Sequence, residues 1–183
     1  MIKLQQACNS LIQSFFAQFR VLVGKPTYKM GNKVVVQIPY FLPVGILTEA
    51  KINALGVAIT RLFNQGKSPV VVEVRLIRIQ YPYLDSSILA QYLALNAGKY
   101  NFTRMQKMIF RKVPTISMGT VLPADALPSH LTGVKLELAG RLTTQRSIPR
   151  KTVENGHTGS LNTSLDFSQY ASKNKLNSFT MKV

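Results

Sequence analysis

Arg104, Lys107 and Arg111 stand at i, i+3 and i+7 of the segment Asn101 to Lys112. At about 100° per residue they fall within about 60° of a helix circumference, one narrow cationic stripe that Lys112 adjoins. Phe102, Met105, Ile109 and Val113 take the opposite side, and no acidic residue occurs between Asp85 and Asp125. A solvated helix face ordinarily mixes both signs and gains i,i+4 pairs, a support that like charges forgo. The chemistry such a stripe can do is polyanion binding, with phosphates supplying the missing counter-charge. A second set follows Gly140: Arg141, Arg146, Arg150 and Lys151, with no carboxylate between Glu137 and Glu154. The planar arginine fork offers two parallel hydrogen bonds to a phosphate. The plainer readings are a solvated helix face for the first set and an exposed turn beside a strand for the second.

Other chemistries find little footing. There is no Gly-x-x-x-x-Gly-Lys-Ser/Thr loop to cradle a nucleotide. The carboxylates are scattered singly, without a close pair for acid–base work. Cys8 sits on an apolar helical stripe, a place for a packed thiol rather than a nucleophile. His130 and His157 have no cysteine or acidic cluster beside them, so zinc ligation is not expected. The expectation is a non-enzymatic protein with no cofactor and no metal.

The whole chain agrees with the stripe. Its 183 residues carry 23 Lys and Arg against 7 Asp and Glu, a net charge of +16 and a pI near 10.3. Both halves are cationic, residues 1–98 at +7 and residues 99–183 at +9. Self-repulsion of this size suits a chain whose natural state includes an anionic partner. Nucleic acid ranks first, a membrane surface second and a merely basic protein third. A hydrophobic fraction of 46% supports a true core. No apolar run is long enough to span a bilayer, so membrane insertion is not expected. Residues 1–23 contain no acid, which fits either an organelle transit peptide or a folded helix. The regular stripe Leu4, Cys8, Leu11, Ile12, Phe15, Phe16, Phe19 and Val23 favours the folded helix, ending near Gly24-Lys25-Pro26.

The elements that would hold the cations follow from periodicity. Lys33 to Phe41 reads as a β-branched strand that Pro39 and Pro43 end. A helix capped by Thr48 runs to about Asn64, and Pro69 to Ile79 is a second strand. Asp85 caps a helix whose buried face is Ile88, Leu89, Tyr92, Leu93 and Leu95. Asn101 caps the cationic helix through Lys112. Pro114 to His130 is a proline-rich irregular connection. Gly133 to Ala139 alternates Val134, Leu136 and Leu138 with polar residues, a strand that breaks at Gly140. A polar stretch surrounds Asn155 to Ser160. Alternation of Leu161, Thr163, Leu165 and Phe167 predicts a strand over Ser160 to Tyr170. Ala171 to Asn177 is a polar loop, and Ser178 to Val183 is a last short strand.

Five segments in order resemble one family. Gly133 to Leu142, GVKLELAGRL, is similar to the "GIKVEVSGRLGG" strand and loop of the universal small-subunit ribosomal protein S-three. Tyr83 to Ala94, YLDSSILAQYLA, resembles its "PELDAQLVAESIA" helix, and Phe102 to Met108, FTRMQKM, falls in register with its "FRRAMKR" segment. Leu165-Asp166-Phe167 and Phe179 to Val183 resemble its "DIDY" and "GVKVWI" strands. Order and spacing agree over residues 70–183, apart from an insertion at 114–130. Residues 33–82 also look like its type II K-homology module, strand, helix pair and strand. The Gly-x-x-Gly clamp for single-stranded RNA is degenerate in Val44 to Lys51, which has no second glycine. The phrase from Gly140 to Lys151 resembles the fungal, mitochondrially encoded form, which would need no transit peptide.

The resemblance implies an α+β fold. Residues 1–83 would form an N-terminal helix plus a degenerate K-homology-like module. Residues 84–183 would form the family's C-terminal domain, helices packed on a mixed or antiparallel sheet. It implies a structural constituent of the mitochondrial small ribosomal subunit, in the matrix, that binds rRNA in the head and lines the mRNA entry channel beside neighbouring ribosomal proteins. Arg104 and Lys107 match the basic positions of the family's entry-channel helix, whereas Thr103 stands where the family has arginine. The RNA-binding set expected is Arg104, Lys107, Arg111, Lys112, Gly140, Arg141, Arg146, Arg150 and Lys151. The rival readings are a free RNA-binding regulator or chaperone and a peripheral membrane protein using residues 1–23.

Overall fold

The apolar alternation of Val34, Val36 and Ile38 builds the first layer. In the computed structural model, which describes residues 2–42, 47–65, 69–116, 130–145, 147, 152–162 and 165–183, these three side chains turn to one face of a strand and are buried. The chain forms two compact units, Met1–Gln80 and Tyr81–Val183, each an α+β arrangement with its own core.

In the first unit, β3 (Lys33–Phe41) is the central strand. β1 (Leu22–Val23) and β2 (Thr27–Met30) run antiparallel along one edge of it. β4 (Val71–Arg78) runs parallel along the other, reached through α2 (Glu49–Phe63). Cys8, Ile12 and Phe16 of α1 (Ile2–Gln18) and Leu55 and Ile59 of α2 complete the core. Burying each such large side chain is worth about 1.5–3 kcal/mol. Burial raises the pKa of the Cys8 thiol, as befits a packed rather than a reactive cysteine.

Two expectations fail here for local reasons. Pro39 does not end β3. From Val23↔Tyr40 to Thr27↔Gln37 the N-terminal side advances four residues while β3 advances three, so a bulge lies between β1 and β2. Pro39, whose carbonyl accepts from the Gly24 N–H at 2.9 Å, faces that bulge, where a missing ladder donor is tolerated. The first helix also stops at Gln18 instead of reaching Val23. Val21 N–H donates to Phe16 O at 3.2 Å and Arg20 N–H to Ala17 O at 3.2 Å, with Arg20 at φ 55°. That is a Schellman cap, closed by Val21 and Phe16 sharing the core.

The second unit is a four-stranded antiparallel sheet in the order β6-β5-β8-β7. A 3₁₀ turn at Pro82–Leu84 leads into α3 (Ser86–Asn96), and α4 (Phe102–Lys112) follows. Asp85 caps α3 by accepting the Ile88 N–H at 2.9 Å. Val134, Leu136 and Leu138 of β5 (Gly133–Ala139) and Phe179 and Met181 of β8 (Ser178–Lys182) meet Leu89, Leu93, Phe102 and Met105 in one core. Leu95, expected on the buried face of α3, is 64% exposed. It lies about 200° around the helix from Leu93.

The C-terminal strands differ most from expectation. The polar stretch at Asn155 is β6 (Val153–Gly159), paired with β5 along its whole length. The strand predicted over Ser160 to Tyr170 is absent among the described residues there before Gln169, and Leu165 and Phe167 are exposed. Asp166 accepts the Ser86 N–H at 3.1 Å, which holds that segment across the start of α3 rather than in a ladder. β7 (Gln169–Lys173) begins later and takes the place of the expected loop. It turns into β8 through Asn174, whose side chain accepts from Leu176 and Asn177 N–H. Of the Pro114 to His130 connection, residues 117–129 lie outside the described residues. Thr115 bridges Leu131 across it.

Candidate nucleic-acid interface

The strongest amphipathic helix of the second unit is α4. Phe102 and Met105 are each 3% exposed, and Ile109 and Phe110 pack beside them. This anchors one side of the helix and leaves the other outward. The Gln106 side-chain amide of α4 rests against Gly156 of β6, in the space that a Cβ there would take. Asn101 and Thr48 both occupy cap positions as expected, although neither side chain bonds; their carbonyls accept the first helical N–H groups instead.

On the outward side Arg104, Lys107 and Arg111 line one shallow depression together with Asn101, Thr103 and Met108. The Arg104 guanidinium lies over the Tyr100 ring, 4.9 Å from its centroid, which braces it by a cation–π contact. The ion pairs among the described residues are Lys33–Glu73, Arg75–Glu73 and Lys182–Glu137, and none involves α4. Arg111 and Lys112 occupy the last turn, where the helix dipole favours cations. Lys112 is exposed but does not line the depression.

Gly140 and Arg141 begin the second set. Gly140 has φ +113°, and a Cβ there would meet Phe179 Cα and Cβ at 2.9 Å, so the turn requires glycine. Its N–H donates to Thr152 O at 2.7 Å. Arg141 is half-buried, and its Nε is shielded from solvent without a hydrogen-bond partner. Around it the backbone is pinned. Asn174 Nδ2 donates to Arg141 O at 2.8 Å, Leu142 is fully buried, and Gln145 bonds both Leu142 N–H and Glu154. Thr144 Oγ1 donates to Tyr100 O at 3.4 Å, so this turn meets the chain just under Arg104. Arg146, Arg150 and Lys151 lie outside the described residues.

Sequence reasoning missed Tyr100, Asn101 and Met108 as parts of this surface. An aromatic four residues before an arginine, straddling a helix start, was the available signal. Among the described residues no group of three His, Cys, Asp or Glu side chains could hold a metal, and no helix is long and apolar enough to cross a membrane.

The model of the mitochondrial ribosomal protein (VAR1) family matches residues 21–183. This chain belongs to that family. It is also 32% identical over 184 residues to "Small ribosomal subunit protein uS3m" of Mycosarcoma maydis, an alignment covering 88% of this chain and 66% of the relative. The chain thus spans just under two thirds of that relative's length. Ribosomal proteins are structural rather than enzymatic, so membership agrees with the absence of a catalytic pattern in the sequence. The match also bears out the mitochondrial, S-three-type resemblance drawn from Gly133 to Leu142 and its companions.

Proposed function

We propose that this mitochondrial ribosomal protein is a structural constituent of the small ribosomal subunit in the matrix, that it binds small-subunit rRNA in the head, and that α4 lines the mRNA entry path. The observation that carries the reading is a helix face with three cations and no counter-ion among the described residues. Unpaired cations held on a rigid helix are the electrostatic half of a phosphate contact. Arg104 and Lys107, over the braced end of α4, contact mRNA. Arg111, Lys112 and Arg141, with Arg146, Arg150 and Lys151, contact rRNA, and Gly140 shapes the turn that presents them. The Arg141 Nε–H, shielded and unpaired, is the donor such a contact would satisfy. The parallel pairing of β3 and β4 across α2, with β2 antiparallel, supports residues 1–83 as a K-homology-like scaffold without its clamp. Residues 84–183 are the RNA-facing domain.

The test separates the two roles. Arg104→Ala with Lys107→Ala is expected to slow translation through structured mRNA while small subunits assemble and sediment normally. Failure of assembly would instead make α4 an rRNA anchor. A chain that remains free of small subunits in a high-salt gradient would contradict the ribosomal reading itself.

A further inference from the structure

The depression on α4 holds more than charge. Its volume is about 470 Å³, more room than a phosphate group fills. Three of the residues around it are uncharged. Asn101 offers a donor and an acceptor side by side, Thr103 a hydroxyl, and Met108 an apolar thioether that is 41% exposed. The Asn101 side chain is not spent on the helix, where it occupies the N-cap position without a hydrogen bond. A phosphate is all acceptor and uses only half of a carboxamide. The edge of a nucleobase, with its own donors and acceptors, uses both halves.

Arg104 supplies a surface as well as a charge. Its guanidinium lies over the Tyr100 ring, 4.9 Å from the centroid, and the residue is exposed on its other side. Tyr100 is a fixed support. Its N–H donates to Asn96 O at 3.1 Å, Thr144 Oγ1 donates to its carbonyl at 3.4 Å, and its side chain packs against the core of the second unit. A guanidinium seated on such a ring has already given up rotamer freedom that binding would otherwise cost. Single-stranded RNA is recognised by stacking its unpaired bases on aromatic rings and arginine planes, with hydrogen bonds to the base edges. In a duplex those faces are taken up by neighbouring bases. Lys107 follows Arg104 by three residues, about 4.5 Å along the helix axis, in reach of the phosphate that flanks such a base.

We infer that this depression seats one unpaired nucleotide of RNA, its base stacked on Arg104 over Tyr100 and beside Met108, its edge on Asn101 and its phosphate on Lys107. The inference rests on the reading of α4 as an RNA contact and makes that contact selective for single strands. Tyr100 is the positioning residue, and the shape of Arg104 matters as much as its charge.

The experiment titrates the full chain, at one salt concentration, with three probes: a short single-stranded RNA, the same strand with its bases removed and its phosphates kept, and the same strand in a duplex. The single strand is expected to bind about ten-fold more tightly than the abasic strand, and more tightly than the duplex. Arg104→Lys keeps the charge and removes the plane, on an exposed side chain. It is expected to bring the intact and abasic strands within about two-fold of each other, with the salt dependence unchanged. Tyr100→Leu should lower the same ratio and Tyr100→Phe, which keeps a ring, should preserve it. Equal affinity for intact and abasic strands, or a ratio that survives Arg104→Lys or Tyr100→Leu, overturns the base site and leaves the phosphate contact in place. Failure to bind any of the three probes overturns the RNA reading as well. On purified small subunits carrying a thiouridine-substituted mRNA, near-ultraviolet light should join that mRNA to the peptide holding Tyr100 and Arg104. An adduct of that peptide with rRNA instead would keep the nucleotide site and overturn the mRNA role of α4.

Discussion

On the β3–β4 surface, Glu73 lies 2.6 Å from Lys33 Nζ and 2.6 Å from Arg75 Nε. On α4, Arg104, Lys107 and Arg111 share one depression, and none has a carboxylate partner among the described residues. Both surfaces are rich in Lys and Arg, and a count of charge would treat them alike. The difference is neutralisation. On the first surface Lys33 and Arg75 share the Glu73 carboxylate, in exposed pairs that add little to stability. The second keeps its cations available, with Tyr100 bracing one of them. An interface for a polyanion is read from charges left unpaired on a rigid element, not from charge density alone.

The most drastic way to break the comparison is to unseat α4. Phe102→Ala is expected to cost about 3–5 kcal/mol, because a 3%-exposed aromatic leaves a cavity in the core beneath the helix. Chemical denaturation should show the loss, and RNA affinity should fall with it. Full affinity on a destabilised α4 would place the binding elsewhere. A milder change converts the quiet surface into an active one. Glu73→Gln releases Lys33 and Arg75, so RNA affinity at low salt should rise a few-fold, on the order of 3-fold. A binding titration that shows no rise would mean those two cations face away from any RNA.

The smallest effect is in acid. The Lys33 hydrogen bond, then that of Arg75, holds the Glu73 carboxyl down at about 2. A carboxylate lowered in the folded state adds stability that is fully present above its unfolded pKa, near 4.5, and is lost as pH falls toward 2. The Glu73 side chain is 34% exposed and the pairs are screened by solvent, so the change in stability is slight. Its carboxyl resonance should nevertheless titrate near 2, and the midpoint should return toward the ordinary value in a Lys33→Gln, Arg75→Gln protein. A midpoint near 4.5 in the unmodified protein would dissolve the pairing on which the contrast depends.

The parts of this fold legible in the sequence are those whose side chains fix their own environment. β3, β5 and α4 have the bounds that their apolar spacing predicts, because burial of Val34, Val36 and Ile38, of Val134, Leu136 and Leu138, and of Phe102 and Met105 leaves one register each. β6 was not legible. Its sequence, Val153 to Gly159, carries Asn155, Gly156 and Gly159, poor strand formers, and it is a strand because β5 pairs with it along its whole length. The reverse error arose at Leu161 to Phe167, where alternation was present but no strand among the described residues lies alongside. The end of α1 was hidden for another reason: its Schellman cap uses Arg20, where glycine would have announced it. At the candidate site, the cation stripe was visible from spacing. Tyr100, four residues before Arg104, was a local signal that spacing alone left unread, whereas the shielded Nε of Arg141 depends on tertiary packing and only the fold reveals it.

The central claim is that the unpaired α4 cations meet RNA phosphates while the paired β3–β4 cations do not. The direct measurement is the salt dependence of binding to small-subunit rRNA for the intact protein, for an Arg104→Gln, Lys107→Gln, Arg111→Gln variant, and for a Lys33→Gln, Arg75→Gln variant. The slope of log affinity against log salt should flatten by about 2 to 3 in the first variant, at about 0.7–0.9 for each phosphate no longer neutralised, and stay within about 0.5 of the parent in the second. An unchanged slope in the α4 variant, or an equal flattening in the β3–β4 variant, would contradict the account.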